Sequence, residues 1–318
     1  MKPASSAPLL TQTLATRCAL VLVVVLGSLS TAAVAQESVS EAPRSRGAQC
    51  LFAGHSFFCP VAVAFNQIAS QSDFPEHGMQ LVFRGGKSGT ASALWTNPDS
   101  RAAIEAVLAT GDVELFGLTP GLSDTPETFE RWFDLALTHN PDTRFFIGVP
   151  WSIGGHAMKT EQFDQLIEGY AGMGARVVTE LRRRYPDNRI DYLAYGKVAP
   201  AMKTRFEAGT LPDITSLVGT DQAALFSDNR LGHAGPLLLK LCALTWFDLL
   251  YDAKIDSLKY GTHGPGVSEI VTEVLAFNAP YRTTSEPTPA APQVPGPSAD
   301  PGAPAPIVEQ PTVPPLNQ

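Results

Sequence analysis

Cysteine, basic residues and long apolar runs are all scarce in this chain of 318 residues, and each shortage closes off a class of protein. Of the four cysteines, Cys18 lies in the N-terminal stretch, which leaves Cys50, Cys59 and Cys242. Three thiols cannot staple a small disulfide scaffold. Two readings stay open: one bridge with a thiol left over, or three buried small apolar residues. Cys50 and Cys59 flank a turn with a strand between them, which does not readily bring their Cα atoms within about 7 Å. No Cys/His spacing has the form of a structural zinc site, and no cofactor is implied. Lys and Arg number 23 against 31 Asp and Glu. A surface so short of positive charge excludes sequence-independent nucleic-acid binding. Beyond residue 35 no apolar run is long enough to span a bilayer, and no internal repeat of fixed period is present.

The one apolar run near the start has a different use. Lys2 and Arg17 supply a positive front, Ala19–Leu26 an apolar stretch, and Ala33-Val34-Ala35 a small-residue cleavage site. Residues 1–35 therefore predict a secretory signal, a secreted or periplasmic location, and no stable membrane anchor after cleavage. Two basic and no acidic residues lie in it, so the chain beyond Ala35 carries 21 basic and 31 acidic residues, a net charge of −10. Residues 36–47 form a polar lead-in. At the other end, 11 of the 27 prolines fall in residues 283–318, a composition that predicts a disordered or polyproline tail, inert or a ligand for an unknown partner.

Residues 48–282 remain for one α/β domain. Apolar runs at 50–53, 79–84, 113–118, 144–149 and 190–195 predict five strands. Helical periodicity follows each of them. Ala62, Val63, Phe65, Ile68 and Ala69 mark the first helix. Ala102, Ile104, Val107 and Leu108 mark the next, and Phe129, Trp132, Phe133, Leu135 and Ala136 a third. Residues 160–184, 198–208 and 237–251 follow, the last of these closing the domain. Strand alternating with helix five times predicts a parallel sheet with helices on both faces. The basic run Arg182-Arg183-Arg184 complements a helix C-terminus and reads as structural.

The chemistry concentrates at the carboxyl edge of that sheet, where open α/β folds bind ligands. Gly54-His55-Ser56-Phe57-Phe58-Cys59-Pro60 joins the first strand to the first helix. Ser56 in that turn is either an exposed nucleophile or a helix N-cap. The cluster Gly85–Thr90 lacks P-loop spacing and reads as a turn that brings peptide N–H groups near Ser56. His233 precedes the helix at 237–251. A hydroxyl, a base and N–H donors are what nucleophilic hydrolysis requires. His55, Trp151 and His156 stand in loops at the same sheet edge and are candidates for the pocket wall. The second glycine of a Gly-x-Ser-x-Gly elbow is missing, which disfavours the α/β-hydrolase family.

The arrangement resembles the SGNH (GDSL-type) hydrolases over residues 48–252. Gly54-His55-Ser56 is similar to their first block, Gly86 or Gly89 to the second, and Phe226-Ser227-Asp228 through His233-Ala234-Gly235-Pro236 to the last. The resemblance implies a flavodoxin-like three-layer α/β/α sandwich with a five-stranded parallel sheet. It implies Ser56 as nucleophile, His233 as base and Asp228 as its orienting acid. The N–H groups of Ser56 and of Gly86 or Gly89 would hold the oxyanion. Two departures stand out. Arg230 occupies the usual aspartate position three before the histidine, so Asp228 acts from five before it. The third block has no asparagine; Thr119 in Gly117-Leu-Thr-Pro-Gly121 is the hydroxyl that would replace it. The expected function is an exported esterase or O-acetyl-ester hydrolase acting on a small-molecule, lipid or glycan ester. The alternative is a weak or inactive binding protein of the cell envelope on the same fold.

Overall fold

The computed structural model describes residues 47–253, apart from 73 and 75, and residues 265–282. The expected signal at 1–35, nearly all of the lead-in at 36–47, and the Pro-rich tail lie outside the described residues.

Five parallel strands form the main sheet: β1 (Gln49–Gly54), β2 (Gly78–Phe83), β3 (Leu115–Leu118), β4 (Arg144–Gly148) and β5 (Ile190–Leu193), in the order β2-β1-β3-β4-β5. β1, β3, β4 and β5 are buried nearly end to end and mostly apolar, because a parallel sheet is covered on both faces; the exception inside β5 is Asp191, which pairs with Arg189. Successive side chains serve opposite layers. Phe52 and Phe146 join one core, while Leu51, Phe116, Phe145 and Tyr192 join the other. The first layer holds α1 (Cys59–Gln71), α6 (Val198–Glu207), α7 (Pro236–Tyr251) and α8 (Pro265–Arg282). The second holds α2 (Ala91–Thr96), α3 (Pro98–Leu108), α4 (Pro126–His139) and much of α5 (Thr160–Arg184). The result is the expected three-layer α/β/α sandwich, with the strand order of flavodoxin-like folds. The order reverses between β1 and β3, and ligands bind in the crevice at such a switch point.

Several expectations are corrected. Residues 237–251 are not the last helix. α8 follows and buries Val267, Ile270, Val271 and Val274 at i, i+3, i+4 and i+7 spacing, with Asn278 Oδ1 accepting from the Ala194 N–H at 2.8 Å. Between the helices expected at 198–208 and 237–251, where no strand is expected, lies a second parallel pair, β6 (Ser216–Val218) with β7 (Ala224–Phe226). Val63 and Ala102 face outward rather than into the core. Cys50, Cys59 and Cys242 are buried free thiols, so of the two open readings it is the small apolar one that holds. Burial pushes the Cys50 and Cys59 thiols up to about 12, which leaves neither as a thiolate nucleophile. Of the Arg182–Arg184 run, Arg183 and Arg184 pair with Glu180, and Arg184 also reaches Glu127 and Glu130.

Trp246 of α7 is the centre of the first layer. Its ring meets Phe58 at 4.8 Å, Phe146 at 4.7 Å, Tyr195 at 5.2 Å and Phe52 at 5.5 Å. It thereby ties α7 to β1, β4 and the start of α1. Trp246→Ala is expected to cost about 3–5 kcal/mol, read as a fall in the urea midpoint at unchanged slope. Trp246→Phe, which also removes an indole N–H that has no partner, is expected to cost less.

Candidate active site

β1 ends at Gly54, and the chain turns at once: the Phe58 and Cys59 N–H groups both donate to the His55 carbonyl at 2.9 Å. Helix α1 then begins with Pro60 in its first turn, where the missing N–H costs nothing. Its N-cap is Phe58, so Ser56 is not spent on capping. It stands ahead of the helix, half-buried, with its hydroxyl directed to His233. The turn is braced from below by the Tyr195 hydroxyl, which donates to the Phe57 carbonyl at 2.8 Å.

His233 arrives from the opposite side on a loop pinned at its base. Phe226 and Ala234 form an antiparallel bridge, the Ser227 N–H donates to the His233 carbonyl at 2.8 Å, and the Gly235 N–H to Leu225. Within this loop Asp228 gathers the backbone around its carboxylate. Oδ1 accepts from the Arg230 N–H at 2.9 Å and the Leu231 N–H at 2.6 Å, and Oδ2 from the His233 N–H at 3.1 Å. Asp228 Oδ2 also lies 2.6 Å from His233 Nδ1, and His233 Nε2 lies 2.8 Å from Ser56 Oγ. A carboxylate can only accept, so Nδ1 carries the proton and Nε2 is left to accept from the serine hydroxyl. The spacing of five is thus closed by the loop itself. Gly232 makes the tightest bend at φ +75°, and a Cβ there would stand 2.3 Å from His156 Nδ1.

Partial burial pushes the Asp228 carboxyl up. The Leu231 and His233 N–H groups and the His233 imidazole outweigh it and hold the group well below the usual carboxylate range. His55 moves the other way for a histidine: burial, then the nearby His233, lower it to about 4. Its Nδ1 accepts from the Phe57 N–H at 3.2 Å, so the proton of the neutral ring is on Nε2.

A cavity of about 710 Å³ opens over Ser56. Of the residues expected from sequence, His55, Ser56, Gly86 and Trp151 line it. Trp151 also donates its indole N–H to the Gly232 carbonyl at 2.8 Å and packs on Phe57, which in turn packs on His233 at 4.8 Å. Asp228 and His233 are not in its lining and meet it through Ser56; Gly89, Thr119 and His156 do not line it either. Gly89 is buried against the end of β1, where a Cβ would meet the Gly54 carbonyl at 2.7 Å; it permits that close approach. Thr119 is fully buried at the end of β3 and its hydroxyl has no partner. His156 lies beneath the His233 loop, its Nε2 donating to the Asn229 carbonyl at 3.1 Å. Its ring is buried and braces that loop instead of forming the expected pocket wall. Sequence reasoning missed Tyr195, which a single sequence does not mark. It also missed the pocket face of α5, which the apolar spacing Tyr170, Met173, Val177 does mark.

No protein-family model and no curated protein matches the chain. Among solved structures, the chain is similar to a DUF4886 family protein from Bacteroides uniformis, at 11% identity and a TM-score of 0.48 over 75% of this chain and 98% of that one. It is also similar to the lipopolysaccharide acetyltransferase periplasmic domain of Salmonella ser. Paratyphi A, at 10% identity and a TM-score of 0.33 over 66% and 86%. Neither likeness carries information about chemistry.

The neutral His55 gives a pH signature. Its folded value lies below the unfolded one, so the unfolded chain binds the extra proton first as pH falls. Its share of stability is complete above pH 6.5 and is lost as pH falls toward 4. Denaturant unfolding across that window is expected to lose less stability on acidification for His55→Gln than for wild type.

Proposed function

We propose that this chain is an exported serine ester hydrolase of SGNH type. The observation that supports it is the unbroken line from Asp228 Oδ2 through His233 to Ser56 Oγ, with steps of 2.6 and 2.8 Å, opening on a cavity. In this reading Ser56 Oγ attacks the ester carbonyl while its proton passes to His233 Nε2. The tetrahedral intermediate collapses with loss of the alcohol, which takes that proton, and leaves an acyl group on Ser56. Water then attacks the acyl carbonyl with His233 as base, releasing the acid and restoring the serine. Asp228 stays ionised throughout. It fixes the tautomer and stabilises the imidazolium.

The oxyanion is held by the N–H groups of Ser56 and Gly86. Gly89 and Thr119 have no part in it, because both are buried away from the cavity wall. With no asparagine in the turn after β3, the site works with fewer oxyanion donors than its relatives, and one such donor is worth roughly 10²–10³ in turnover. Slow turnover on simple esters follows. That same shortage favours the second reading, a binding protein that keeps the pocket without the chemistry. The leader at 1–35 supports action outside the cytoplasm. Among the described residues no helix is long and apolar enough to cross a membrane.

Hydrolysis of p-nitrophenyl acetate and butyrate by wild type, Ser56→Ala, His233→Ala and Asp228→Asn separates the readings. Ser56→Ala and His233→Ala are expected to fall to background. Asp228→Asn is expected to lose on the order of 10⁴ in kcat, since an amide can hold the wrong tautomer. Turnover that survives Ser56→Ala would contradict the assignment.

A further inference from the structure

Five large apolar side chains stand exposed among the described residues: Val63, Phe83, Leu122, Ile153 and Met173. They are not scattered. Leu122, Ile153 and Met173, exposed at 68, 53 and 40%, all line the cavity over Ser56. Val63 and Phe83 line a separate shallow groove beside α1 and β2. Isolated exposed apolar residues need no explanation, but ones that converge on a cavity mark a binding surface.

Helix α5 shows that the convergence is built in. Ala171, Ala175 and Val178 face the core and are buried. Tyr170, Met173, Gly174 and Val177 form a second stripe at i, i+3, i+4 and i+7, offset from the first, and all four line the cavity. Gly174 is buried and Tyr170 and Val177 also pack against the core, but Met173 is exposed at 40% and no core contact accounts for it. Trp151 and Ile153 from the loop after β4 and Leu122 from the loop after β3 line the same cavity. Lys87, Thr90, Ser123 and Asp124 add polar groups to the lining. Arg176 is the one charged side chain that α5 contributes to the lining.

We infer that the apolar lining supplied by α5, Trp151, Ile153 and Leu122 holds an aliphatic chain of the ester, so that the substrate class is a chain-bearing ester rather than an acetyl group on a bare sugar. The inference rests on the serine hydrolase reading. An aliphatic chain could arrive as the acyl group or as the alcohol, and two substrate series on the full chain distinguish them. One is p-nitrophenyl acetate to octanoate, the other ethyl to octyl acetate, each below its micellar concentration.

In one series kcat/KM is expected to rise with length, by up to about fourfold per methylene placed and at least tenfold overall. Ile153→Ser and Met173→Ser, both at exposed positions, are expected to reduce the long-to-short ratio by about tenfold. Calorimetric titration with sodium octanoate and sodium acetate gives a readout that needs no turnover. Octanoate is expected to bind wild type more tightly than it binds Met173→Ser, and acetate not to bind. Flat profiles in both series, with wild type active, overturn the chain-binding lining and leave the hydrolase reading in place. No turnover on any ester, with octanoate still held by wild type and lost in Met173→Ser, overturns the hydrolase reading and supports the chain-binding lining. No turnover and no octanoate binding overturns both.

Discussion

A carboxylate held partly out of water needs its lone pairs filled, and Asp228 fills them from its own loop. The N–H groups of Arg230, Leu231 and His233 converge on it, and the His233 imidazole completes the set. These bonds do two things at once. They keep the group ionised at any ordinary pH, and they fix the loop so that one imidazole nitrogen faces the acid and the other faces Ser56. Remove the carboxylate and the loop loses its centre as well as the histidine its partner. The site's geometry is therefore a property of six residues of backbone more than of any single side chain.

The loop is also held from outside. Trp151 donates to the Gly232 carbonyl and His156 to the Asn229 carbonyl, so both ends of the β4–α5 loop grip it. Tyr195, following β5, holds the Phe57 carbonyl of the nucleophile turn. Phe57 then fills the space between Trp151 and His233. Aromatic groups from three strand ends thus fix the two halves of the site against each other. A spacing of about 3 Å between hydroxyl and imidazole depends on that kind of rigid support.

The sheet was legible because β1, β3 and β4 are buried on both faces and read as nearly plain apolar runs. Leu51-Phe52-Ala53 and Phe145-Phe146-Ile147 need no periodicity argument. β6 and β7 are three residues each, too short to show a period. α8 carries Gly266 in its first turn and Pro280 inside it, signals that argue against a helix, yet its i, i+3, i+4 stripe supplies core to the first layer. At the site, residue types and chain order pointed to Ser56, Asp228 and His233. How Asp228 spans five positions depends on a positive φ at Gly232 and on backbone N–H groups, neither of which a sequence displays. His156, Gly89 and Thr119 share the right sheet edge but not the right depth. Position along the chain gives the edge, and packing alone decides which side chains reach the cavity.

The most direct test of the account is covalent labelling of the full chain with a fluorophosphonate, followed by mass spectrometry of the intact protein and of its peptides. The account requires a single adduct, on Ser56, that forms slowly or not at all in His233→Ala, because only a hydroxyl whose proton His233 accepts is nucleophilic enough to react. An unlabelled wild type, or an adduct carried elsewhere, would contradict it, and the cavity over Ser56 would then be a binding site without chemistry.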